Sequence, residues 1–315
     1  MSPERGRFAH RSFLVALLVT IAVLALLWSV HGLGYPNPHD SRYPLRQITE
    51  DSDRARAAAI TRYSLLCLDH LSKSRATEAI ASCDRALKID GKDVATLNLR
   101  GNAHWLAGHG SQAIADFSRA IKLAPRNPEA FRFRAIVYAA LHRDGSALAD
   151  FSHAIQLAPG DPLNVELRGH FYRSRGNYRL AIADFSAAIA VRPLRDRAWN
   201  SRCWTRLLAN EDLTKALSDC DRALELNPLS TNALDSRGFV LLRMNRFAEA
   251  IGSFSKALRI DAKLASSWFG RGAAKLSIRN RGGARDIARA KLLEPGIAGR
   301  FLSYGIKLRN ATPGT

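Results

Sequence analysis

Ala113-Ile-Ala-Asp-Phe-Ser-Arg-Ala120-Ile-Lys-Leu-Ala-Pro125 is a stretch that the chain rewrites along most of its length. Its landmark slots, Ala113, Phe117, Ala120 and Pro125, are refilled by Ala147, Phe151, Ala154 and Pro159, then by Ala181, Phe185, Ala188 and Pro193, each set 34 residues on. Looser copies stand at Ala216, Cys220, Ala223 and Pro228, at Ala250, Phe254, Ala257 and Ala262, and at Gly283, Ile287, Ala290 and Pro295, with one upstream at Ala79, Cys83, Ala86 and Gly91, which makes seven units. Small and aromatic residues three or four apart describe one packing face of a helix, and the proline marks its stop.

The other half of each unit carries a second periodic run. Gly101 with His104, Phe131 with Tyr138, Gly169 with Tyr172, Trp199 with Cys203, Gly238, and Trp268 with Gly272 fill corresponding slots. Each unit therefore reads as helix A, turn, helix B. This pattern resembles the tetratricopeptide repeat, in which W-x2-L-G-x2-Y precedes A-x3-F and P. The resemblance implies an all-α, right-handed α-solenoid of about seven helix-turn-helix units, in which stacking buries apolar faces that no unit can bury alone. The units run 60–93, 94–127, 128–161, 162–195, 196–230, 231–264 and 265–295. The fifth is one residue longer and the last one shorter, changes expected in the A–B turn. Asn200-Ser-Arg-Cys-Trp204, Asp219-Cys-Asp221, Leu234-Asp-Ser-Arg-Gly238, Gly270-Arg-Gly272 and Pro295-Gly-Ile297 through Tyr304-Gly305 further resemble a group of alphaproteobacterial repeat proteins without an assigned role. That likeness implies a bacterial envelope setting and supplies no activity.

The repeats occupy 53–295 and leave no second core. Ahead of them, residues 1–11 carry Arg5, Arg7 and Arg11, and Phe13 to Val30 is an 18-residue run without a charge. Such a run nearly spans a hydrocarbon core of ~30 Å, so 12–33 is expected to be a transmembrane signal anchor, with the basic end in the cytoplasm and the repeats across the bacterial inner membrane in the periplasm. A cleaved signal peptide is the competing reading, with Val30-His-Gly32 and Gly32-Leu-Gly34 as weak cleavage sites. Pro36, Pro38 and Pro44 make 34–52 an extended linker. Thr49-Glu-Asp-Ser-Asp53 then places acids at the start of a lengthened first helix A, Arg54 to Leu71. Residues 296–315 are expected to be a capping helix, with Ile297, Phe301, Tyr304 and Leu308 on one face, followed by a frayed tail.

Within the repeat register, Cys67 and Cys203 take the small-residue slot of helix A, and Cys83 and Cys220 take the Phe slot of helix B. Given export, two disulfides follow, Cys67 to Cys83 and Cys203 to Cys220, against the alternative that each cysteine is a small buried hydrophobe. Arg100, Arg134, Arg168, Arg202, Arg237 and Arg271 precede the small slot, while Asp116, Asp150, Asp184, Asp219 and Asp286 precede the Phe slot. The two mostly occur or lapse together within a unit, which favours A-to-B ion pairs in the same unit over pairs with the neighbouring one. Their expected role is to set helix register.

No nucleophile elbow, zinc-binding helix motif, phosphate loop or dinucleotide fingerprint occurs, so neither catalysis nor a cofactor or metal is expected. Binding is expected instead on the inner face of the A helices, at Asn98, Asn102, Trp105, Arg132, His170, Arg173, Asn200, Trp204, Asp235 and Phe239, read as exposed. The expected partner is a protein or an extended peptide, which makes the chain an anchored adaptor. An assembly factor for envelope polysaccharide or cytochrome machinery is the alternative. The net charge of +19 suits an acidic partner, an anionic surface or nucleic acid, but an Arg-rich solvated surface accounts for it as well, and nucleic acid is not favoured.

Overall fold

The structure, a computed structural model, describes residues 43–306. The expected anchor at 12–33, the basic end at 1–11, the first part of the linker, and Leu308 with the tail lie outside them. Among the described residues there are fifteen helices and no strand. No helix there is long and apolar enough to cross a membrane.

The helices fall into two compact units, one up to Ala158 and one from Pro159 onward. The first holds three A–B pairs: α1 (Tyr43–Ser72) with α2 (Ala76–Ile89), α3 (Val94–Leu106) with α4 (Gly110–Leu123), and α5 (Pro128–Ala140) with α6 (Asp144–Leu157). The second holds four pairs and a short last helix: α7 (Pro162–Ser174) with α8 (Tyr178–Val191), α9 (Asp196–Ala209) with α10 (Leu213–Leu226), α11 (Thr231–Arg243) with α12 (Phe247–Ile260), α13 (Ala265–Ser277) with α14 (Gly282–Leu293), then α15 (Ile297–Ser303). Partners pack along their length, and successive A helices also touch at α1 with α3, α3 with α5, α9 with α11 and α11 with α13.

Local chemistry accounts for the ends. Asp93, Asn127, Asp161 and Ser230 cap their A helices by accepting backbone N–H bonds, and Pro128 and Pro162 take first-turn positions where no N–H is needed. Every A–B turn has one left-handed residue at a fixed place: Ser74, Gly108, His142, Gly176, Asn210, Asn245 and Arg279. Around each, one amide reaches back five residues and the preceding one three, as Arg143 N to Tyr138 O and His142 N to Ala139 O do. This is the Schellman arrangement, and it satisfies the carbonyls that the helix end orphans.

Two boundaries differ from expectation. Helix α1 begins at Tyr43 rather than Arg54, so the second half of the expected linker is helical; Pro44 sits in the first turn, where proline costs nothing. The length changes of the fifth and last units fall between helices A and B, as expected: the extra residue follows the left-handed Asn210, which keeps its place 34 residues after Gly176, and the deletion shortens α14 at its start. The last helix stops at Ser303, short of Leu308.

The core is built on a small-to-large rule. A Cβ on Gly101 would stand 2.6 Å from the Phe117 ring, one on Gly238 2.6 Å from Phe254, and one on Gly272 2.8 Å from Ile287. In the cysteine-bearing pairs, medium replaces both small and large. Phe254 is filled in from both sides, because a Cβ on Gly270 of α13 would also collide with its ring. Gly270→Ala is therefore expected to destabilise by about 2 kcal/mol, overpacking outweighing the ~1 kcal/mol of helix propensity gained. In a Phe254→Leu background the same change should become neutral or stabilising; urea titration of the four variants reads both signs.

Candidate inner-face binding groove

The cysteines meet as pairs across the A–B interface. Cys67 faces Cys83 and Cys203 faces Cys220, each pair with Cα atoms 5.5 Å apart, sulfurs at bonding distance and all four side chains fully buried.

The arginines and aspartates also meet within their own units. Arg100 donates Nε and Nη2 to the two oxygens of Asp116 at 2.8 and 2.7 Å, and the same fork joins Arg134 to Asp150, Arg168 to Asp184, Arg202 to Asp219 and Arg271 to Asp286. Hydrogen bonds to the carboxylates hold Arg100, Arg134 and Arg168 above the ordinary guanidinium value against the opposing effect of burial. Burial pushes Asp286 up, but bonds from Arg271 and Lys275 outweigh it and leave the carboxyl below its ordinary value. Arg202 and Arg271 also lie over Trp199 and Trp268, 4.9 and 4.6 Å from the ring centres.

The free Nη1 of the fork reaches the preceding B helix, a contact the sequence reading missed. Arg100 takes Asp84 at 2.7 Å, Arg134 takes Ser118 at 2.8 Å and Arg202 takes Ser186 at 2.9 Å. Arg237, whose own-unit slot is Ser253, finds its carboxylate backward in Asp221 at 2.6 Å. One guanidinium thus ties three helices. The signal was present: Asp-Phe-Ser, Ser-Cys-Asp and Asp-Cys-Asp keep an oxygen two residues past the Asp slot. These residues hold the stack together and take no further part in the groove.

The inner-face residues are less open than expected. In the first unit, Asn98, Asn102, Trp105 and Arg132 are all buried, and in the second so is Phe239. His170, Arg173, Asn200, Trp204 and Asp235 are half-buried. The physical reason is proximity: A helices that touch their A neighbours interleave their inner side chains. Trp105 turns out to be core, packed with Phe117, Phe133 and Val137, and Arg132 lies over Phe133.

In the second unit a further element covers the groove. Phe301 of α15 stacks on Phe239 of α11 at 4.4 Å and on Phe269 of α13 at 5.1 Å. Tyr304 then meets Trp204 of α9 edge-on at 5.8 Å. The segment expected only to cap the last pair therefore runs back along three A helices. Gly305, left-handed with φ 73°, ends α15, and Ile306 behind it is buried with the core. Among the described residues, sequence reasoning placed no ligand-facing role on Phe269, Phe301, Tyr304 or Ile306; the Tyr304-Gly305-Ile306 run was the available sign of a helix stop with a packed hydrophobe after it.

Asp235 sits beside this segment. Burial pushes its carboxyl up to about 6 from an ordinary 3.8, against hydrogen bonds from Ser267 and Ser266 and the charge of Arg300. Between those values the folded chain retains a proton that the unfolded chain has released, so this group's contribution to stability falls as pH rises from about 4 to 6. Asp235→Asn should remove that fall and gain about 2 kcal/mol at pH 7. Parallel urea titrations of parent and variant at pH 4.5 and 7 check it, and equal pH dependence in the two contradicts it.

Stacked antiparallel helix pairs with an aromatic, arginine and asparagine inner face define a helical-repeat scaffold. A tetratricopeptide repeat profile matches residues 98–162, 167–231 and 205–265, more than half of the chain, and the chain belongs to the tetratricopeptide repeat family. No curated protein matches it. Among solved structures, a tetratricopeptide repeat protein from Parabacteroides merdae is 18% identical, with a TM-score of 0.60, covering 79% of this chain and 100% of that one. Pseudomonas aeruginosa PilF is 17% identical, with a TM-score of 0.56 and coverage of 69% and 97%. PilW, a type IV pilus biogenesis factor, is 19% identical, with a TM-score of 0.54 and coverage of 66% and 94%. At these identities the likeness is one of fold.

Proposed function

We propose that the chain is a membrane-anchored scaffold that binds a protein or peptide segment in the bacterial periplasm and carries out no chemistry itself. The observation that supports this is the groove of the second unit, where three A helices hold a peptide segment by aromatic contacts, with Ile297 and Ile306 buried at its ends. A surface that accommodates Phe301 and Tyr304 of its own chain has the shape and apolarity for a comparable segment of another. The anchor reading rests on the uncharged run Phe13 to Val30, and the periplasmic side on the arginines before it.

Capture from detergent-solubilised membranes tests the proposal. The full chain should retain a discrete protein partner, and Trp204→Ala with His170→Ala should lose it while keeping its helicity. Retention of the partner by that double variant would move the binding surface elsewhere. The anchor is tested on the same preparation: a mature chain beginning near Leu33 or Tyr35 would show cleavage.

A further inference from the structure

We infer that residues 297–306 are a built-in, displaceable competitor for the groove of the second unit, and that the natural occupant is an amphipathic helical segment with two aromatics three residues apart and a carboxylate beside the second. This rests on the scaffold reading and gives the partner its chemistry. The segment is placed as a ligand would be. Phe301 lies between Phe239 and Phe269, Tyr304 against Trp204, and Ile297 and Ile306 are buried at either end. That is a run of contacts along α13, α11 and α9, where a cap for the last pair needs only α13 and α14.

It is also lightly fastened. Helix α15 has seven residues and no side-chain cap, too short to be stable unaided. Among the described residues, the segment's hydrogen bonds are local: Arg300 to Glu294 at 2.8 and 2.7 Å, Ser303 Oγ to Arg300 O at 2.7 Å, Ile306 N to Phe301 O at 3.0 Å. None of these hydrogen bonds has to break in the groove when the segment leaves, and the charge of Arg300 beside Asp235 is the electrostatic contact given up.

The carboxylate requirement comes from Arg173 of α7. It is half-buried and lies 6.0 Å from the centre of the Phe185 ring; burial lowers its pKa, and among the described residues only the phenols of Tyr304 and Tyr178 oppose that shift. Every other arginine at an A–B interface described above has an aspartate. Among the described residues, the chain's own segment offers this cation only the phenol of Tyr304. A partner with an acidic residue there gains an ion pair that the resident segment lacks, and with it the means to displace it.

The experiment uses the full chain and two fluorescent peptides: a copy of residues 295–306, and the same copy with Gly305 replaced by aspartate. Phe301→Ala should bind the copy at least tenfold more tightly than the parent does. The acidic peptide should bind several-fold tighter still, a gain lost in Phe301→Ala with Arg173→Gln. Equal binding of the copy by parent and Phe301→Ala overturns the competitor, and equal binding of both peptides overturns the carboxylate. Hydrogen exchange on the unmodified chain guards against misfolding of the variant: amides of 297–306 should exchange at least tenfold faster than those of α11 and α13, and equal protection would make the segment a fixed cap. Partner capture with no peptide binding would leave the scaffold reading standing without this inference, whereas peptide binding with no captured partner would do the reverse.

Discussion

Asp219→Ala is expected to destabilise the second unit by about 3 to 5 kcal/mol, because it strands two guanidiniums at once. Asp219, 4% exposed, accepts from Arg202 at 2.9 and 2.7 Å and from Arg206 at 2.6 Å. Without it Arg202 keeps one hydrogen bond, to Ser186, beside the Trp199 ring, and Arg206 a long bond of 3.3 Å to Lys215 O. The cost arises from leaving desolvated charge unpaired, more than from the net strength of the pair. Asp219→Ala with Arg202→Met should therefore recover part of the loss, which a simple sum of two harmful changes would not. Arg237→Gln provides the contrast: its carboxylate, Asp221, is 44% exposed, so solvent already weakens that pair and a loss of about 1 kcal/mol or less is expected. Urea unfolding of the parent and the three variants measures these differences, and an Asp219→Ala chain within 1 kcal/mol of the parent would show the fork to be ornamental.

The arginine fork illustrates what a sequence can and cannot disclose. Its forward half was readable, since Arg and Asp vary together unit by unit and a bidentate pair needs both. Its backward half was missed, because Asp84, Ser118 and Asp221 keep an oxygen two residues past the Asp slot but not a single residue type. The Gly-to-Phe and Cys-to-Cys complementarity was likewise visible as paired substitutions. By contrast, the left-handed turn position escaped notice: where it is His142 or Arg279, nothing in the residue type declares a positive φ. The groove was misjudged for a different reason. Helical periodicity gives the direction of a side chain but not the distance to the next A helix, so Asn98, Trp105 and Phe239 were read as open when neighbours close over them. The groove's own occupant was hidden because Phe301 and Tyr304 fit a cap's spacing as well as a ligand's; only their partners, Phe239 and Trp204, distinguish the two.

The cysteine pairs allow the covalent constraint to be separated from packing. Closing loops of 16 and 17 residues should contribute about 3 kcal/mol each in the chain-entropy account. If the repeats lie in the periplasm, the native chain should contain no alkylatable thiol, and reduction should lower the stability of both units. Cys203→Ala with Cys220→Ala loses the bond and also leaves a void at two fully buried sites, so it should cost more than reduction does. Cys203→Gly with Cys220→Phe copies the Gly238 and Phe254 arrangement and refills the space. That variant should be insensitive to reductant at this site and fall between the oxidised parent and the alanine pair. Should it match the oxidised parent, the bond adds nothing that packing cannot supply, and the pair would be a substitute for the repeat's Gly and Phe rather than a staple. Four free thiols in the exported chain would end the argument sooner, and with it the reason for placing these repeats on the oxidising side of a membrane.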